Sequence, residues 1–186
     1  MATGDIDDIL ASAAGLALIR QHNPELDAYL TEAYHFTPIR TFFIPYGAGI
    51  SSNGKRVYIS YDLQTTIDGV ECANALVRHE CTEWGLRYFL GIGTDYASDP
   101  RGHRLGNRAE HDRVVELLDR PDAWDLYAEV IDPQVILAER EDFEDKPIPQ
   151  DLALYPYPKD LRYKLRKAAM ENQRSWEEWE KVNGTD

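Results

Sequence analysis

Val77-Arg78-His79-Glu80-Cys81-Thr82-Glu83-Trp84, together with His103-Arg104-Leu105-Gly106-Asn107-Arg108-Ala109-Glu110-His111 about twenty residues later, is the stretch on which the reading of this chain turns. Apolar residues at Val70, Ala73, Leu76 and Val77, followed by Trp84, Leu86 and Leu90, predict a helix over 70–90, ended by Gly91-Ile92-Gly93. On such a helix His79 and Glu83 stand one turn apart on one face, and Glu80 points roughly 100° away around the axis. A second helix over 103–118 places His103, Asn107 and Glu110 on one stripe. The two helices can thus bring imidazoles and carboxylates to one point.

Working outward, Asp5 or Asp8 can start a first helix that stops at Asn23-Pro24, and Pro24-Glu25-Leu26-Asp27 starts a second that ends near His35. Strands are expected at 40–44 and 56–60, where β-branched and aromatic residues are dense, with an Asn53-Gly54 turn between them. Val57 and Ile59 on one face and Tyr58 and Ser60 on the other predict a sheet covered on one side. Thr65, Thr66 and Asp68 are the candidate N-caps of the His79 helix. A polar loop over 94–102 reverses the chain, and a last core helix over 123–139 meets an interruption at Pro133. The fold class is α+β, mostly helical, with a small antiparallel sheet preceding the His79 helix. Residues 1–140 form the main domain, and 141–186 form an acidic, proline-rich wrap leading to a C-terminal helix over 160–181 that carries Trp176 and Trp179.

Thirty-three acidic against twenty basic residues give a net charge of −13, which repels phosphate backbones and anionic lipid and argues against nucleic-acid binding. No apolar run reaches the roughly 18 to 20 residues of a membrane span. Two cysteines nine residues apart are a poor disulfide framework, and a cytoplasmic setting is expected.

Imidazole nitrogens and carboxylate oxygens bind zinc at about 2.0 to 2.2 Å, and a catalytic site typically offers three protein ligands. His79, Glu83 and His103 are such a set. Glu80, immediately after the first histidine, is the candidate general base. Glu110 is expected as a further ligand or as the group that orients His103, and His111 is the alternative to either. Cys72 lies about 10 Å along the axis from His79, too far for the same ion. Cys81, on the opposite face, reads as a packing residue. His22 and His35 read as ordinary helix-edge histidines, and Arg78, Arg104 and Arg108 as solvated or paired with acids. The competing reading of the whole constellation is a helix-to-helix ion pair, because buried His and Glu require partners.

His79-Glu80-x-x-Glu83 on a helix after a short strand pair resembles the zincin-like metallopeptidases, especially the small intracellular and prophage-associated ImmA/IrrE-type branch, over roughly 40–114. That resemblance implies His79 as first ligand, Glu80 as base and position 83 as second ligand, and a peptide or protein substrate aligned along an edge strand near 56–60. Glu83 stands where the family has histidine. A carboxylate there weakens the Lewis acid, so zinc is the expected ion with iron and manganese brought into competition. The alternatives are a non-catalytic, phage-related interaction protein that retains the core, and a redox or storage protein. The latter lacks the paired Glu-x-x-His motifs of its class.

Overall fold

The computed structural model describes residues 13–41, 47–61, 63–93 and 101–138 of the 186-residue chain. Their order is α1 (Ala13–His22), α2 (Pro24–Ala33), β1 (Ile39–Thr41), β2 (Ala48–Ile50), β3 (Val57–Ser60), β4 (Thr66–Ile67), β5 (Val70–Glu71), α3 (Ala73–Leu90), α4 (Arg101–Leu118) and α5 (Ala123–Ala138). This is an α+β arrangement with small sheets. The start of the first helix at Asp5 or Asp8, most of the reversing loop, the 141–158 wrap, the 160–181 helix and the boundary near 140 lie outside the described residues.

α1 and α2 meet where expected, at Asn23-Pro24. Proline at the start of α2 has no N–H to leave unpaired, and Glu25 and Asp27 sit at the positive end of its dipole. Arg20 Nε reaches Asp27 Oδ1 at 2.6 Å across the joint. Leu26, Leu30 and Ala33 then face the core.

The sheet departs from expectation in two ways. It is mixed, because β1 pairs parallel with β3 while β2 pairs antiparallel with it. The order β1-β3-β2 also puts β3 in the middle, so the stretch expected as a peptide-binding edge is the strand already paired on both sides. The cause is β2 itself: Ala48-Gly49-Ile50 has little β-propensity and was hidden in a glycine-rich stretch, yet it folds back on β3 through the 51–56 turn. Ser51 Oγ accepts the Lys55 and Arg56 N–H groups at 3.1 and 2.9 Å in that turn. Val57, Tyr58 and Ile59 are all buried, so β3 is covered on both faces and not on one.

A second surprise lies just before α3. Asp68 and Gly69 both take positive φ, 48° and 82°, in a two-residue turn joining β4 to β5. Asp-Gly at the two central positions suits the type I′ hairpin, whose twist matches its strands. Val70 is therefore in a strand and α3 starts at Ala73. None of Thr65, Thr66 and Asp68 caps it; Glu71 Oε1 accepts the Ala73 N–H at 2.9 Å instead. The far end is as expected, with Gly91 in the left-handed region (φ 66°) closing the helix.

α3 is the axis of the molecule. Ala75, Leu76, Val77 and every residue from His79 to Leu86 are buried, so no face of this stretch is given to water. α2 covers one side, where a Cβ on Gly85 would lie 2.8 Å from Leu26 Cδ1. The β2–β3 turn covers another, with Tyr29 Oη donating to the Gly54 carbonyl (3.0 Å) and Trp84 Nε1 to that of Ser52 (3.3 Å). α4 makes the most extensive contact with α3, and α5 packs behind α4. The expected break at Pro133 does not occur. Proline removes one backbone donor, and α5, anchored by buried Ala123, Tyr127 and Ile131, continues to Ala138.

Gly54 has φ +69°, and a Cβ there would sit 2.6 to 2.7 Å from three atoms of the Trp84 ring. Gly54→Val is expected to lower stability by about 2 to 5 kcal/mol, combining left-handed backbone strain with overpacking. Urea unfolding followed by tryptophan fluorescence measures it, and a loss below about 0.5 kcal/mol would contradict this packing of the turn on Trp84.

Candidate metal centre

The site forms where α3 crosses α4, and glycine permits the crossing. A Cβ on Gly106 would lie 3.2 Å from His79 Cδ2, Nε2 and the His79 carbonyl oxygen, and one on Gly102 would lie 3.7 Å from Glu83 Cγ. Glycine inside a helix costs up to about 1 kcal/mol relative to alanine, and here it lets α4 approach α3 directly over the two candidate ligands.

His79, Glu83 and His103 come together as the spacing predicts. One ligand-type atom from each lies within 4.8 Å of the other two. Glu83 Oε2 is 3.4 Å from His79 Nε2 and 3.8 Å from His103 Nδ1. Ligand atoms placed about 2.0 to 2.2 Å from a tetrahedral centre are separated by about 3.3 to 3.6 Å, so the His79 gap lies in that range and the His103 gap just beyond it. The donor set, two imidazoles and a carboxylate, also suits zinc, iron or manganese. The residues fit the ion. His79 and Glu83 are buried, whereas the His103 side chain is one-third exposed, so the site opens on the α4 side.

Glu110 stands elsewhere than the His103 support foreseen for it. Its Oε2 is 2.8 Å from His79 Nδ1, and its Oε1 accepts the Tyr127 hydroxyl at 2.6 Å. Glu110 lies outside the three-residue group and holds His79 from behind, leaving Nε2 turned toward Glu83. Such an outer carboxylate sets the tautomer and the basicity of a ligating histidine. Tyr127 and Gly106 were not singled out in the sequence. Their signals were a tyrosine within the Ala123, Tyr127, Ile131 stripe, whose hydroxyl needs a partner when buried, and a glycine at mid-helix.

The electrostatics follow from crowding carboxylates around one imidazole. Burial works against the His79 imidazolium, but the hydrogen bonds it donates to Glu110 and Glu83 and the charges of Glu110 and Glu80 outweigh it and raise its pKa well above the usual value. Burial likewise opposes ionisation of Glu83, yet the His103 and His79 rings hold its pKa down to about 2. Glu110 is also lowered, with the His79 and Tyr127 hydrogen bonds overcoming burial. Glu83 and Glu110 are thus held ionised by the imidazoles they face.

Glu80 is buried, and its charge acts on His79. His111 is apart from it, 3.4 Å from Asp112 Oδ1 and packed on Trp124. Cys72 and Cys81 are buried free thiols, their sulfurs directed to the Val70 and Ala33 carbonyls. His22 and His35 are exposed. Arg78 pairs with Glu116 at 3.1 Å and Arg108 with Asp112 at 2.8 Å, and Arg104 lies on the exposed side of α4. Among the described residues, no helix is long and apolar enough to cross a membrane. No family model, curated protein or solved structure matches the chain.

Proposed function

We propose that this chain is a metal-dependent hydrolase with a zincin-like core, acting on a peptide or protein, in which His79, Glu83 and His103 hold one divalent ion and Glu80 is the general base. The observation that carries the reading is the convergence of those three donor atoms within 4.8 Å at a buried helix crossing. Zinc fits the donor set best, with iron or manganese next. When bound, the ion polarises a carbonyl and acidifies water.

The chain's own groups supply the rest. Glu110 Oε2, paired with His79 Nδ1, turns Nε2 toward the site, and the Tyr127 hydroxyl holds Glu110 in place. The Glu80 carboxylate accepts a proton from water as the water oxygen attacks the amide carbon. It then returns that proton to the departing amine nitrogen, leaving a carboxylic acid and an amine as products. With β3 paired on both sides, an extended substrate that adds a strand to the three-stranded sheet would pair with β1 or β2.

Elemental analysis of the purified chain tests the assignment, with His79→Ala/Glu83→Ala and His103→Ala prepared alongside. The wild type is expected to retain about one equivalent of zinc, iron or manganese, and both variants to retain less than about a tenth of that. His103→Ala matters because this ligand is the least buried of the three, so its loss leaves the core intact. No ion in the wild type, even after reconstitution, would leave the cluster as a buried ion-pair network.

A further inference from the structure

Arg87 lies one turn beyond Glu83 on α3, tethered by one hydrogen bond and with its charge near Glu83. Its Nε donates to the Gly93 carbonyl at 3.2 Å, and its Nη2 stands 3.8 Å from Glu83 Oε1. The other Glu83 oxygen, Oε2, is the one facing His79 and His103. The guanidinium charge thus lies on the Oε1 side of Glu83, at ion-pair distance but beyond hydrogen-bond reach, and the two imidazoles lie on the Oε2 side. Gly93, which Arg87 holds, is itself buried against α4: a Cβ on Gly102, next to His103, would lie 3.2 Å from Gly93 Cα. One side chain therefore joins the end of α3, the turn that follows it, and the start of the helix that carries the third ligand.

We propose that Arg87 is a positioning residue of the metal centre: by holding its charge 3.8 Å from Glu83 Oε1 it biases Glu83 toward ligation through Oε2 and offsets part of the negative charge that distinguishes this carboxylate from an imidazole. The inference rests on the metal reading above and extends it to a residue outside the ligand set. A carboxylate ligand weakens the Lewis acidity of its ion, and a fixed cation on the oxygen away from the ion offsets that effect. Arginine suits the task because Nε holds the Gly93 carbonyl while the rest of the fork keeps its charge beside Glu83.

The test is a Co2+ titration of the metal-free full chain, followed by visible absorption and by competition with a chromophoric chelator, for the wild type, Arg87→Gln and Arg87→Lys. Arg87→Gln is expected to bind Co2+ about 10- to 100-fold more weakly. Its absorption should also weaken and shift, because a carboxylate no longer biased toward Oε2 can add Oε1 to the ion and four-coordinate cobalt absorbs most strongly. Arg87→Lys, which keeps the charge, should recover the wild-type spectrum in large part. If Arg87→Gln melts earlier but its bound Co2+ has the wild-type spectrum and affinity, Arg87 only supports the turn and the proposal is overturned. Should Arg87→Gln fail to fold, Arg87→Met takes its place with the same expectation, and Co2+ bound to it with the wild-type spectrum and affinity overturns the proposal. A wild type that takes up no Co2+ overturns the metal reading and this one with it, whereas Co2+ bound with identical spectra in all three overturns this one alone.

Discussion

Glu80→Gln is expected to lower hydrolytic turnover by about 10^2- to 10^4-fold while leaving metal content unchanged. The substitution conserves volume at a buried position on α3, and it removes the charge and with it the capacity to take up a proton. Glu80 is not among the three residues whose donor atoms converge, so loss of its charge leaves the ligand set complete. Hydrolysis of a peptide library, read by mass spectrometry at matched metal loading, measures the change. A variant as active as wild type would remove Glu80 from the chemistry, and one that loses its metal in parallel would make Glu80 part of the binding site instead.

Glu110→Ala is expected to cost about 3 to 5 kcal/mol of stability, because it leaves the His79 imidazole and the Tyr127 hydroxyl buried without their shared partner. Metal affinity should fall about 10- to 100-fold as His79 loses the group that orients it. Glu110→Gln separates the two effects. The amide keeps one oxygen for the Tyr127 hydroxyl but turns an NH2 toward His79 Nδ1, which must then accept a hydrogen bond. In the neutral ring the proton moves to Nε2, the atom facing Glu83, and that nitrogen can no longer ligate. Glu110→Gln should therefore keep most of the stability and lose most of the affinity. Urea unfolding of the metal-free proteins and a competitive metal titration report the two quantities independently. Equal affinity in Glu110→Gln and wild type would show that Glu110 plays no part in presenting His79.

The two helices that carry the candidate ligands were readable in the chain because their cause is local. Apolar residues at helical spacing and the Gly91 stop define α3, and the same period brings His79 and Glu83 to one face and His103 and Glu110 to another. The hairpin before α3 was also locally encoded, in Asp68-Gly69, but two-residue strands are too short to show a period, and Asp68 competes as an N-cap. Strand order was not encoded locally at all. Val57-Tyr58-Ile59 has the same composition whether it lies at an edge or in the centre, and only its pairing with both Ile39–Thr41 and Ala48–Ile50 makes it central.

The site divides along the same line. Residue type and helical period were enough to bring forward His79, Glu80, Glu83, His103 and Glu110, because a side chain's direction on a helix depends on its neighbours one turn away. Which of them share one point, and which stand behind, depends on how closely and in what register α4 crosses α3. Gly102 and Gly106 set that approach through contacts with residues on another helix. The crossing places Glu110 on His79 Nδ1 instead of beside His103, and α5 brings Tyr127 to Glu110 from seventeen residues further along the chain. Those partners belong to different helices, and no periodicity within one segment records how two segments pack, so they were settled only when the helices met.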